Sequence, residues 1–120
     1  MLAAVYAVPD PDVGDRVMAA LQLRAGADFD ADGFAAFLAE QPDLGTKWTP
    51  RFVRIADPLP VTETSKVLKR PLRRERWECA DRVWWQPEKG DPYRRLDRVD
   101  ADALRDQFET RGRAAALEAV

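Results

Sequence analysis

The sequence contains no histidine and a single cysteine, Cys79. Without an imidazole there is no histidine-based catalytic triad, no histidine proton shuttle and no Cys/His zinc site. One cysteine permits no disulfide within the chain, which fits a reducing compartment, and a cytoplasmic location is expected. No apolar run approaches the ~18 residues of a membrane-spanning helix, so no membrane span is expected. Met1 to Val5 has no basic segment and is too short for a signal peptide. There is no internal repeat and no low-complexity tract, and no metal site is expected.

What is present is ordinary globular composition in a chain of 120 residues, 46% hydrophobic and 33% charged, enough for one domain with a small core. The net charge of −2 conceals an asymmetry. Residues 1–60 carry five basic and nine acidic side chains, and residues 61–120 carry fourteen and twelve. From Lys66 to Arg76 six basic residues face only Glu75, a patch suited to phosphate or carboxylate oxygens.

Leu2 to Val8 is apolar on both faces and reads as a central strand. It begins with no preceding linker or cap, as a piece cut from a longer protein does. Pro9 to Asp15 is rich in turn formers, and Val17 to Leu23 is a second apolar strand, so the two form an antiparallel hairpin. Asp28 or Asp30 caps a helix with Phe34, Phe37, Leu38 and Gln41 on one stripe. Pro42 ends that helix, and a loop with Gly45 and Trp48 follows. Arg51 to Ile55 reads as a third strand. A helix from about Pro71 to Ala80 follows, with Leu72, Arg76 and Cys79 near one face. Arg82 to Gln86 and Tyr93 to Leu96 flank a Pro/Gly turn and read as a hairpin whose aromatic face packs on the body. Asp100 or Asp102 caps a last helix to about Ala116, with Leu104, Phe108 and Ala115 inward. The expected fold is α+β: a small three-stranded mixed or antiparallel sheet with packed helices, plus a C-terminal β-hairpin and helix.

Leu59 to Arg70 carries the chemistry. Pro58 and Pro60 stiffen its approach. Thr62 to Ser65 are polar residues whose hydroxyls favour a loop by bonding nearby backbone. Lys66 then leaves a stiff turn, and a flexible ammonium so placed suits a phosphate or carboxylate oxygen. On charge alone the same stretch is a surface loop before a solvated basic helix. It is also compatible with a nucleotide- or nucleic-acid-binding module, although no nucleic-acid motif accompanies it.

The spacing Pro60-x-Thr62-x-x-x-Lys66, with Lys69 and Arg70 behind it, resembles the C-terminal signature of the acyl-adenylate-forming (AMP-binding) enzymes. The form Thr62-Glu63-Thr64-Ser65-Lys66 looks most like the fatty-acyl-CoA and very-long-chain acyl-CoA synthetases and their fatty-acid-transport relatives. Many members have glycine where this chain has Ser65. Two further landmarks fall in the family's order: Val8-Pro9-Asp10 with Gly14-Asp15 before an apolar strand, where Asp15 replaces the usual Glu, and Pro50-Arg51-Phe52-Val53. The resemblance runs from about residue 4 to about residue 100.

The resemblance implies that Lys66 is the catalytic lysine of adenylation, with Pro60, Thr62, Thr64 and Ser65 positioning it. It implies that Gly14 and Asp15 line the CoA path. The chain is then, over residues 1–120, the mobile C-terminal lid of an acid–thiol ligase, inactive alone. Its partners are the N-terminal adenylation domain, a fatty acid and CoA. ATP/AMP and Mg²⁺ are bound mainly by that N-terminal domain, which this sequence does not contain. The alternative is a stand-alone module of the same fold acting in trans on an adenylation domain.

Overall fold

A computed structural model describes residues 2–12, 14–40, 49–88 and 90–118. Strand β1 (Leu2–Pro9) pairs antiparallel with β2 (Asp15–Gln22), as the sequence leads one to expect. Helix α1 (Ala31–Ala39) then crosses over, and β3 (Phe52–Ile55) runs parallel to β2. A parallel neighbour needs such a crossover connection, whereas an antiparallel one needs only a turn. Helix α2 (Lys69–Glu75) leads to β4 (Arg82–Trp85), antiparallel to β3, and β4 pairs with the two-residue β5 (Arg94–Arg95). Helix α3 (Arg98–Thr110) and a short 3₁₀ turn, Ala114–Leu117, follow.

The class is α+β with a mixed sheet, but the sheet has five strands in the order β1-β2-β3-β4-β5, not three. The expected C-terminal hairpin forms and is the second half of this sheet, because Phe52 to Ile55 hydrogen-bond to Trp85 to Arg82 along their full length. β1 is an outer strand, not a central one. Its Ala4, Tyr6 and Val8 are buried, while Ala3, Val5 and Ala7 on the other face are exposed. Apolar residues on both faces do not make a central strand here: among the described residues no helix covers the face of Ala3, Val5 and Ala7.

Alternation along β2, β3 and β4 divides the core in two. Met18, Ala20, Phe52, Val83 and Trp85 face α2 and α3, where Trp77 stacks on Phe52 at 4.8 Å and Phe108 lies fully buried. Leu21, Val53 and Ile55 face α1, where Phe34 and Leu38 pack. Asp30 caps α1 by accepting from the Gly33 amide at 3.0 Å. Phe37 does not join the stripe: it is 57% exposed, because α1 meets the sheet along the Phe34–Leu38 line. Gln41, Pro42, Gly45 and Trp48 lie outside the described residues, as does Val13.

Helix α2 starts before Pro71 and stops at Glu75, short of the expected Ala80. Pro71 sits in the first turn, where its missing N–H has no helical partner to lose. The stop follows from Arg76, whose φ of 53° turns the chain so that Trp77 enters the core. Helix α3 is capped by Asp97, with Asp100 completing a reciprocal capping box, one turn earlier than expected. It ends at Thr110, before Gly112 at φ 71°. Leu104 and Phe108 face inward as expected; Ala115 is exposed, and Leu117 takes the buried place.

Candidate functional site

The lysine loop is a closed turn rooted in the core. Leu59 is buried, and its amide donates to Gln22 Oε1 at 2.9 Å, which ties the loop to the C-terminal end of β2. The Leu68 amide donates to the Pro60 carbonyl at 2.8 Å, and Val61 pairs with Val67 across the stem. The Thr62 amide donates to the Lys66 carbonyl at 2.8 Å, and the Ser65 amide to the Thr62 carbonyl at 2.9 Å. This is a three-residue hairpin whose last loop residue must take left-handed backbone. That residue is Ser65, at φ 64°. A residue without Cβ would adopt this positive φ freely, so glycine suits the position better than serine.

The hydroxyls close the turn from inside. Thr62 Oγ1 accepts from the Lys66 amide at 3.1 Å and lies 3.1 Å from Thr64 Oγ1. The backbone of Lys66 is thus held on both its N–H and its C=O, while its side chain is exposed. Among the described residues its ammonium enters no ion pair. A fixed backbone with an uncommitted ammonium is the arrangement an incoming anion requires.

The remaining cations divide sharply. Lys69, Arg70, Arg73 and Arg74 on α2 are exposed. Arg76 is buried, donating to the Arg74 and Leu117 carbonyls at 2.9 Å each and pairing with Glu78 at 2.9 Å. Arg54 is buried between Glu75 and Asp81, each 2.8 Å away, which fixes α2 against β3. Arg51 donates to the Gln86 and Pro87 carbonyls at 2.9 and 2.8 Å, and burial lowers its pKa. Arg54 is thus held inside the fold, and Arg51 is committed through Nε and Nη2 to backbone carbonyls. Trp84 packs on Phe29 and Trp85 on Phe52, so the tryptophans do not form an open stacking platform for nucleobases.

The glycine loop lies at the other end of β2. Gly14 takes φ 66°, and a Cβ there meets nothing within 4 Å, so the glycine is required by backbone and its flank is open. The Asp10 amide donates to the Gly14 carbonyl at 3.0 Å. The buried Asp10 carboxylate accepts from the Asp12 amide at 2.9 Å and from Arg16 Nε at 2.8 Å. Asp15 is exposed at the first position of β2, opposite Pro9. A cavity of about 170 Å³ opens beside this loop, lined in part by Asp10, Arg16, Arg51 and Gln107.

The structure does not bring Lys66 and Gly14 together. Their loops are rooted at opposite ends of β2, whose eight residues span roughly 23 Å at about 3.3 Å each. Sequence reading also missed the side chains that hold the glycine loop from outside. Arg113 donates to the Asp10 and Gly14 carbonyls, and Arg111 pairs with Asp12. The turn from Pro9 to Asp15 was legible from its residue types; a partner about a hundred residues away was not.

Comparison with known proteins gives the same direction. No family model and no solved structure matches the chain. It is 49% identical over 110 residues to a steroid-22-oyl-CoA synthetase of Rhodococcus jostii, covering 91% of this chain and 20% of that protein. It is 62% identical over 81 residues to the medium/long-chain-fatty-acid–CoA ligase FadD17 of Mycobacterium tuberculosis, covering 68% and 16%. Over 96 residues it is 35% identical to the mouse long-chain fatty acid transport protein 5, covering 77% and 14%. The chain spans a fifth or less of the length of these relatives. Its motifs and its relatives agree: the chain belongs to the acyl-adenylate-forming (AMP-binding) enzymes, among the acyl-CoA synthetases, with the character of their C-terminal domain.

Proposed function

We propose that this chain is the mobile C-terminal domain of an ATP-dependent acyl-CoA synthetase acting on a fatty or similarly apolar carboxylic acid. The observation that carries the reading is Lys66, leaving a backbone-locked turn with its ammonium exposed and, among the described residues, in no ion pair. In the first half-reaction a substrate carboxylate oxygen attacks the α-phosphorus of ATP, and the bond to pyrophosphate breaks. Negative charge gathers on the reacting oxygens. The Lys66 ammonium stabilises it without transferring a proton. The hydroxyls of Thr62 and Thr64, Ser65 and the Pro60 carbonyl hold the turn from which it projects.

In the second half-reaction the sulfur of CoA attacks the acyl carbon and AMP departs. Gly14 and Asp15 line the approach of CoA in this reading. The separation of the two loops supports a domain that turns between steps, presenting the lysine end of β2 for adenylation and the glycine end for thioester formation. Among the described residues no group of three carboxylate or sulfur donors gathers. In this reading Mg²⁺ and most ATP contacts belong to the adenylation domain, and the chain by itself is expected to have neither activity. Among the described residues no helix is long and apolar enough to cross a membrane, and the cytoplasm is the compartment we assign.

The test is Lys66→Ala in the full-length synthetase carrying this domain. Acyl-dependent pyrophosphate exchange should fall by about a hundredfold or more, the scale of losing a charge-stabilising group. Thioester formation from supplied acyl-adenylate should be largely retained. Equal loss in both half-reactions, or unimpaired exchange, overturns the assignment.

A further inference from the structure

Nothing in the motifs accounts for Arg113, yet it makes polar contact with the glycine loop from about a hundred residues away. Its Nε donates to the Asp10 carbonyl at 3.0 Å and its Nη2 to the Gly14 carbonyl at 3.3 Å. One planar guanidinium therefore spans both ends of the loop, a geometry that a fork of N–H donors satisfies and a point-charge ammonium does not.

The position of Arg113 is itself fixed by the core. Phe108 before it and Leu117 after it are both buried. The Arg113 amide donates to the Phe108 carbonyl at 2.7 Å, and Gly112 at φ 71° reverses the chain to allow it. The 3₁₀ turn Ala114–Leu117 then delivers the Leu117 carbonyl to buried Arg76. Arg111, on the other side of Gly112, pairs with Asp12 in the same loop. Drawing the Asp10 and Gly14 carbonyls toward α3 leaves the flank where a Gly14 Cβ meets nothing as the face open to a ligand.

The geometry points to Arg113 as a positioning residue for the glycine loop, through which the segment after α3 sets the shape that the loop offers to the acceptor thiol. The inference rests on the reading of Gly14 as facing the CoA path.

Two measurements test it. In the 120-residue chain, Arg113→Met should speed hydrogen exchange of the Asp10 and Asp12 amides by about tenfold, the size of a lost charge-assisted hydrogen bond. The amides of Val53 and Leu21 should be unchanged. In the full-length synthetase carrying this domain, the same variant should raise KM for CoA by about tenfold, with pyrophosphate exchange unchanged. Arg113→Lys, which reaches one carbonyl at a time, should restore part of the KM. Unchanged exchange at Asp10 and Asp12 overturns the inference. So does an equal loss in both half-reactions, which marks a merely structural role. If instead Lys66→Ala spares adenylation, the functional reading falls, while the amide result still decides whether Arg113 holds the loop.

Discussion

Both candidate loops turn on one residue in left-handed backbone, Ser65 at φ 64° and Gly14 at φ 66°, but they are held by different kinds of partner. The lysine loop closes on itself: the bonds Leu68–Pro60, Thr62–Lys66 and Ser65–Thr62 all lie within nine residues. The glycine loop has local bonds of its own, Asp10 to Gly14 and Asp12 to Asp10, but is also tied from about a hundred residues away by Arg111 and Arg113. A locally closed turn keeps its shape without help from the rest of the domain. One that is also tied remotely depends in part on the C-terminal segment staying docked. The lysine end is thus built as a fixed tool, and the glycine end as a face that the rest of the domain adjusts.

The largest effect that sharpens this contrast is expected at the root of the lysine loop. Leu59 is 2% exposed and packs in the larger core. Leu59→Ala should destabilise the chain by about 3 kcal/mol, through lost burial and an unfilled cavity. Urea unfolding measures it. Amides of the glycine loop should keep their protection relative to the global value. Selective loosening of the Asp10 amide in this variant would break the picture of independently held loops.

Substitutions at the two left-handed positions should act with opposite sign. Gly14→Ala finds open space but places a Cβ at positive φ, which costs about 1 kcal/mol. Ser65→Gly relieves the same strain, partly offset by the entropy of the unfolded glycine, and should stabilise by about 0.5 kcal/mol. Urea midpoints of the two variants on either side of the parent would support the assignment. Two midpoints on the same side would mean that a contact other than backbone conformation sets one of them.

Legibility in the sequence follows the same division. The lysine turn was readable because everything that closes it lies between Pro60 and Leu68, and its polar residues announce a loop. The hairpin of β1 and β2 was readable for the same reason: its partners are adjacent in sequence. What failed was non-local. The number of strands failed because nothing in Phe52 to Ile55 says that Arg82 to Trp85 will pair with it. The edge position of β1 failed because Ala3, Val5 and Ala7 look buried in sequence, and only the fold shows them exposed. The end of α2 failed because the positive φ of Arg76 is imposed by the need to bury Trp77 and not by a local breaker. The capping of α3 was missed by one turn. Asp97, Asp100 and Asp102 are all plausible caps, and only the reciprocal Asp97–Asp100 pair closes a capping box.

The smallest expected effect concerns acid, and it should separate the two ends without touching either loop. Burial opposes ionisation of Glu78, but hydrogen bonds from Arg105 and Arg76 outweigh it and hold its pKa below the ordinary value. Arg105 reaches Glu78 at 2.7 Å from α3, and Arg76, also on Glu78, carries the Leu117 carbonyl. A depressed carboxylate pKa contributes stability that is present above the unfolded value, about 4.3. That stability is lost as pH falls through the lower folded value, because the unfolded chain takes up the proton first. Acid in this range should therefore loosen the Glu78 bridge, the 3₁₀ turn and, through Arg113, the glycine loop. The Thr62, Lys66 and Leu68 amides are held by hydroxyl and backbone oxygens that do not titrate there, and should not respond. Glu78→Gln removes the titrating group, so the difference between parent and variant isolates its share from that of other carboxylates. Hydrogen exchange followed from neutral pH to below pH ~4 should show that difference at Asp10 and Asp12 and none at Lys66. An equal response at both loops would mean that the C-terminal segment braces the whole sheet and not the glycine end alone.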